Sequence, residues 1–188
     1  GANVCISYYD ESTENLKLAR STDWGETWPI ICTVDSLGTM GNQYNKIVVA
    51  GESVYILYFD YINLDFKIAR SDDGGLTWPD IRIFDTFSEN VGDHPSIIVN
   101  NDIIYLSYQD TSNQNLKFIK SSNEGYTWST IHTIDSTGDV GYYSSITADG
   151  SDVYISYSDS TNQSLKLAQS SDGGSTWPII QTIDSSIN

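Results

Sequence analysis

Basic residues are scarce in this chain: nine Lys and Arg stand against 25 Asp and Glu, a formal charge of -16 over 188 residues. A surface of that sign repels phosphate backbones and anionic headgroups, which argues against nucleic acid and membranes as partners. Histidine is limited to His94 and His132, and no metal-ligand spacing links them. No apolar run approaches the roughly 20 residues that cross a bilayer, and no basic, apolar leader opens the chain, so a leader is expected only in a longer precursor. Long amphipathic helical patterns are also missing. Disorder is excluded by what is present: 39% hydrophobic residues, with 13 Tyr and 5 Trp to fill a core.

One octet recurs four times, as Ser21–Trp28, Ser71–Trp78, Ser121–Trp128 and Ser170–Trp177, with leading serines 50, 50 and 49 residues apart. A fixed period of this size marks one supersecondary unit copied four times, each copy burying its apolar face against its neighbours. Cysteine does not follow the period. The counterparts of Cys5 are Tyr55, Tyr105 and Tyr154, and those of Cys32 are Arg82, His132 and Gln181. No repeat-wide disulfide or thiolate metal framework exists.

Each copy contains short β-rich runs separated by Gly, Asp, Ser and Asn clusters. The last reads as strand A around Ser144–Ala148, B at Val153–Ser158, C at Ser164–Gln169 and D from Pro178. Short connections make this an antiparallel meander, the unit of a β-propeller blade. The expected fold is therefore all-β, a propeller with blade repeats at approximately 1–38, 39–88, 89–138 and 139–188. The first copy opens at strand B, which predicts three whole blades, one blade lacking its A strand, and fifteen strands. Such a chain is a piece of a longer propeller, or a half that a homodimer completes into an eight-bladed ring.

The octet lies between strands C and D. Asp23, Asp73 and Asp172 are suited to accept hydrogen bonds from loop amides and the loop threonine. Gly25, Gly75, Gly125 and Gly174 permit a tight turn, and Trp28, Trp78, Trp128 and Trp177 are expected to tuck under the loop with an acceptor for each indole N–H. This Ser-x-Asp-x-Gly-x-Thr-Trp pattern resembles the Asp-box, or bacterial neuraminidase repeat, of sialidases and many non-enzymatic propellers. The third copy departs, with Asn123 and Glu124, and is expected to be less rigid. The resemblance implies that these residues are structural and lie on the face opposite an active site.

The same resemblance calls for three arginines that clamp a sugar carboxylate. Arg20 and Arg70 instead precede octet serines at the end of strand C, Arg82 lies on strand D, and no Arg-Ile-Pro motif occurs. No catalytic residue is assigned. On the opposite face strand B ends in Asp10, Asp60, Asp110 and Asp159, each 11 residues before its octet serine. They read as hairpin caps, or as an acidic ring for sugar hydroxyls or Ca²⁺. The D–A loops share this face and diverge, which singles out Tyr44, His94, Tyr142 and Tyr143 as ligand contacts. Asp35, Asp85, Asp135 and Asp184, 14 residues after the octet serines, read as turn caps.

The function expected is a non-catalytic, sialidase-like module that binds carbohydrate or protein on its loop-rich face, without a required cofactor. Part of an exo-sialidase-like glycoside hydrolase is one alternative, and a structural adhesin segment is another. The expected location is extracellular or cell-surface, in a bacterium or archaeon.

Overall fold

The computed structural model describes residues 2–36, 45–60, 62–63, 65–86 and 93–185, with 84–86 and 93–94 described by backbone alone. The first sheet holds β1 (Val4–Asp10), β2 (Asn15–Ser21) and β3 (Ile30–Asp35). The second holds β4 (Lys46–Ala50), β5 (Ser53–Asp60), β6 (Asp65–Ser71) and β7 (Asp80–Thr86). β8 (Asp93–Asn100), β9 (Ile103–Asp110), β10 (Asn115–Ser121) and β11 (His132–Asp135) form the third. The fourth comprises β12 (Val140–Asp149), β13 (Asp152–Asp159), β14 (Ser164–Ser170) and β15 (Ile179–Asp184). Among the described residues pairing is antiparallel between sequence neighbours, so each sheet is one blade-like meander, and the fifteen strands found there match the strand reading.

The chain divides into two compact units, Gly1–Ser88 and Glu89–Asn188, each holding two sheets. Period-2 alternation sends one row of β2 side chains, Leu16 and Leu18, onto Ile56, Tyr58 and Ala69 of the second sheet. The other unit repeats this arrangement with Leu116 and Phe118 of β10 against Ile155, Tyr157 and Ala168. Each fully buried Leu, Ile or Phe in these seams contributes about 1.5–3 kcal/mol.

A β-bulge recurs where the third strand of each blade pairs with the fourth, at Leu16/Lys17, Phe66/Lys67, Leu116/Lys117 and Leu165/Lys166. One extra residue on the outer strand breaks strict alternation. Two successive residues can then face inward, as Val34 with Asp35 and Ile134 with Asp135 do, all below 9% exposure. Without the bulge one member of each pair would point to solvent.

The octets close the opposite end of each blade. Ser21 Oγ donates to Asp23 Oδ1 at 2.6 Å and accepts from Gly25 N at 2.8 Å, and the other three copies repeat both bonds. Asn123 preserves the ring rather than loosening it. Its Oδ1 accepts from Thr127 N at 2.9 Å, and its Nδ2 donates to Thr127 Oγ1 where an aspartate would accept. The fourth and fifth octet positions are left-handed in every copy, including the non-glycine residues Trp24 (φ 65°) and Glu124 (φ 59°).

These turns reach beyond their own blade. A Cβ at Gly75 would stand 2.4 Å from Leu18, and one at Gly174 would stand 2.3 Å from Phe118, both on the preceding sheet. Trp177 meets Phe118 edge-on at 4.9 Å, and Trp78 packs on the Leu16–Leu18 cluster. The tryptophans thus reach the neighbouring blade. The Nε1 atoms of Trp78 and Trp177 are buried without an acceptor among the described residues, contrary to the sequence expectation; apolar packing fixes these rings.

Gly174→Ala and Gly75→Ala should therefore destabilise their units by about 2–4 kcal/mol, combining left-handed strain with overpacking. Gly150→Ala, with φ 58° and nothing within 4 Å of the added methyl, should cost only about 1 kcal/mol. Urea unfolding midpoints check the ranking.

Candidate functional site

The face carrying the second-to-third strand hairpins is organised by aspartates. Asp60 Oδ1 accepts from Ile62 N at 3.0 Å and Asn63 N at 3.1 Å, while Oδ2 accepts from Asn63 Nδ2 at 2.8 Å. Asp110 and Asp159 cap their hairpins through Asn113 and Asn162 in the same way. Asp10 takes Ser12 N at 3.0 Å. All four also pair with a lysine of the next strand: Lys17 with Asp10, Lys67 with Asp60 at 2.6 Å, Lys117 with Asp110 at 3.4 Å and Lys166 with Asp159 at 3.8 Å. Asp60, Asp110 and Asp159 are almost wholly buried. Their oxygens are engaged inside the blade by hairpin donors and a lysine, the capping arrangement.

The lysines tie neighbouring blades together. Lys166 bridges Asp159 to Asp135 of the preceding blade, and Asp135 Oδ2 also accepts from Tyr157 Oη at 2.7 Å. Lys67, Asp60, Asp35 and Tyr58 repeat the arrangement, with Tyr58 Oη 2.6 Å from Asp35 Oδ2. Asp135 also caps its turn through Thr137 N at 2.9 Å, as its sequence position suggests, but its second oxygen joins two blades. Burial pushes the Tyr58 and Tyr157 hydroxyls far above their usual range, and the adjoining carboxylates push the same way. Burial opposes ionisation of Asp60 and Asp135, yet the lysine and their other hydrogen-bond donors hold both below the ordinary carboxylate value.

The lysine and tyrosine recur in the sequence at fixed offsets that do not by themselves name their partners. Lys17, Lys67, Lys117 and Lys166 each lie four residues before an octet serine, and Tyr8, Tyr58, Tyr108 and Tyr157 each lie two before the strand-end aspartate.

A second polar cluster lies where the loop entering β12 meets these hairpins. Ser160 N donates to Asp139 O, and Asp139 N to Thr161 Oγ1, both at 2.8 Å. Gln109 Nε2 and Tyr142 Oη donate to the Asp139 carboxylate at 3.1 and 3.3 Å. Gly141, at φ 99°, brings the strand so close to β10 that a Cβ would sit 3.1 Å from Leu116 Cα. The bulge that follows holds Tyr143 left-handed, at φ 53°, and leaves it 71% exposed with its ring 6.3 Å from that of Tyr142. Tyr44 and the His94 side chain lie outside the described residues.

Basic groups are consumed by the scaffold. Arg20 is buried with Nη1 3.4 Å from Asp73 O, Lys120 donates to Gly173 O at 2.6 Å, Arg70 pairs with Asp72 and Arg82 with Asp80. With the four lysines above, eight of the nine have an internal partner, and Lys46 is exposed. Among the described residues no three His, Cys, Asp or Glu side chains gather into a metal-sized cluster. No helix is long and apolar enough to cross a membrane.

Lys166→Met strands two buried carboxylates and should cost about 3–5 kcal/mol, whereas Tyr157→Phe should cost about 1–3 kcal/mol. Because Asp60 and Asp135 are depressed in the folded state, their contribution is complete above the ordinary carboxylate pKa of about 3.9 and is lost as pH falls below it. Urea midpoints from neutral pH to pH ~3 should fall in the wild type, and less steeply in Asp135→Asn.

No family model and no curated protein matches the sequence. Solved structures do. A protein of unknown function from Dyadobacter fermentans aligns over 89% of this chain and 58% of its own, at 16% identity and a TM-score of 0.69. A Hadza microbial sialidase aligns over 94% and 43%, at 16% identity and a TM-score of 0.64. An exo-β-1,3-galactanase from Clostridium thermocellum aligns over 97% and 46%, at 13% identity and a TM-score of 0.58. The chain thus spans less than two thirds of each of these structures. At such identities the likeness is one of fold: an all-β chain of antiparallel propeller blades, similar to those of sialidases and galactanases.

Proposed function

We propose that the chain is a non-catalytic, sialidase-like module, its octets Asp-boxes, that binds carbohydrate at Tyr142 and Tyr143. The single observation that carries this reading is Tyr143, a large aromatic held exposed at a left-handed backbone position. Such strain persists only where surrounding structure over-determines it, and it collects at binding sites. An aromatic face stacks on the apolar face of a sugar ring, and the neighbouring Asp139 and Thr161 supply polar partners suited to hydroxyls, with the buried Gln109 holding the Asp139 carboxylate in place. The expected setting is extracellular, where glycans are displayed. Eight engaged basic side chains leave little to clamp an anionic sugar, which favours neutral glycans over sialosides.

A second reading is part of a glycoside hydrolase, favoured by structural neighbours named as sialidases and exo-β-1,3-galactanases. Titration of the protein on a glycan array, with turnover assays on a fluorogenic sialoside and on β-1,3-galactan, separates the two. Binding without turnover is expected. Tyr143→Ala should weaken it by about tenfold or more while leaving the unfolding midpoint within about 0.5 kcal/mol of wild type. Turnover that Tyr142→Phe abolishes would overturn the binding-only reading.

A further inference from the structure

Buried and half-buried aspartates of this fold are neutralised in one of two ways. The strand-end Asp10, Asp60, Asp110 and Asp159 and the bridging Asp35 and Asp135 each have a lysine. The octet aspartates do without a cation by collecting donors. Asp73 and Asp172 each accept four hydrogen bonds from serine, threonine and backbone amides. Asp139, half-buried, has neither. Its carboxylate accepts from Gln109 Nε2 at 3.1 Å and Tyr142 Oη at 3.3 Å, both neutral donors, and among the described residues no cation reaches it. A carboxylate offers about four acceptor positions, so one stays open on each oxygen.

This carboxylate is nonetheless fixed in place. Asp139 N donates to Thr161 Oγ1 and its carbonyl accepts from Ser160 N, both at 2.8 Å, while Val140 N donates to Gln114 O at 3.1 Å. The segment is thereby stitched to hairpins of both sheets of the second unit. Gly138, at φ 100°, approaches so closely that a Cβ would stand 2.8 Å from the Thr161 hydroxyl oxygen. Gln109 is wholly buried, at the position where other copies hold Tyr9, Phe59 and Ser158, and its Oε1 has no donor among the described residues. Leaving half of a buried amide unpaired costs stability, so packing does not account for Gln109. Its hydrogen bond to Asp139 does.

The surroundings supply no countercharge. The second unit carries twelve Asp and Glu against three lysines and no arginine. Lys117 pairs with Asp110, Lys120 donates to Gly173 O, and Lys166 bridges Asp135 and Asp159. Beside the carboxylate stand the rings of Tyr142 and Tyr143, 6.3 Å apart and inclined at 43°. An aromatic face attracts a cation as well as the apolar face of a sugar.

We propose that the glycan bound here carries a free amine: the ligand is a cationic amino sugar whose ammonium sits between the Asp139 carboxylate and the tyrosine rings. An ammonium has three donors and no acceptor, which matches two open carboxylate positions and a ring face. It also brings the charge that no residue of the unit supplies. The exposed Thr161 hydroxyl accepts from Asp139 N and keeps a donor for a ring hydroxyl, which a lysine side chain would leave unused. The proposal rests on the carbohydrate reading above and carries its preference against anionic sugars from neutral to cationic ones.

NMR titration with tetrasaccharides of glucosamine and of galactosamine, each with free amines and fully N-acetylated, tests this. One free-amine form should bind about tenfold or more tightly than its acetylated counterpart, and the difference should shrink as salt is added. Asp139→Asn keeps the Gln109 hydrogen bond, because its carbonyl still accepts. It should bring the two forms within about twofold of each other while the acetylated form binds as it does to wild type. General attraction of a polycation to an acidic protein would survive that change, which removes one of 25 acidic side chains. Tetralysine should bind about tenfold or more weakly than the free-amine sugar. Equal binding of free and acetylated sugars, a preference insensitive to salt, or one that Asp139→Asn leaves intact overturns the proposal and leaves the carbohydrate reading standing. Tetralysine as tight as the sugar overturns it in favour of a peptide ligand, and no sugar binding at all removes both readings.

Discussion

A carboxylate buried between two sheets governs this fold. Asp35 and Asp135 stand at the end of one blade's outer strand yet find their partners on the next blade, a tyrosine hydroxyl and a lysine. Removing a carboxylate from water is costly unless it is paired and hydrogen-bonded. Each aspartate therefore tolerates only the register that brings its tyrosine and lysine within reach. The bulge before it is part of the same constraint, because it allows an apolar residue and the aspartate to face inward in succession.

The other end of each seam is set by shape instead of charge. The octet turn approaches the preceding sheet so closely that its fifth residue has no room for a side chain where Leu18 or Phe118 lies beneath. Arg20 and Lys120 reach the octet backbone carbonyls from below. Charge at one end and close approach at the other hold two twisted sheets in one relative position, and the apolar rows between them supply most of the burial.

This construction bears on function. Nearly every cation is committed to the scaffold, so the excess of acid is left as the dominant surface charge. What faces solvent near the hairpins is polar and aromatic: Tyr143 on its strained bulge, beside a hydrogen-bonded set around Asp139. A surface of that kind suits stacking and hydroxyl recognition better than the clamping of an anion.

The sequence by itself determined the repeat, the four-strand meander, the octet turn and the capping role of the strand-end aspartates, because these rest on contacts within a few residues. The hydrogen bonds of Asp23 to Thr27 or of Asp60 to Asn63 span four and three positions, and residue type with spacing suffices to specify them. Tertiary structure alone decided the partners of Asp35 and Asp135, whose tyrosines lie 23 and 22 residues away in the following copy. Recurrence showed that Tyr58, Lys67 and their counterparts sit at fixed offsets. It did not show that the lysine turns back onto the preceding blade, nor that Trp78 and Trp177 also pack on a neighbour. Those outcomes depend on how one sheet seats on another, and the burial of charge and the glycine-tight approach between sheets select that seating.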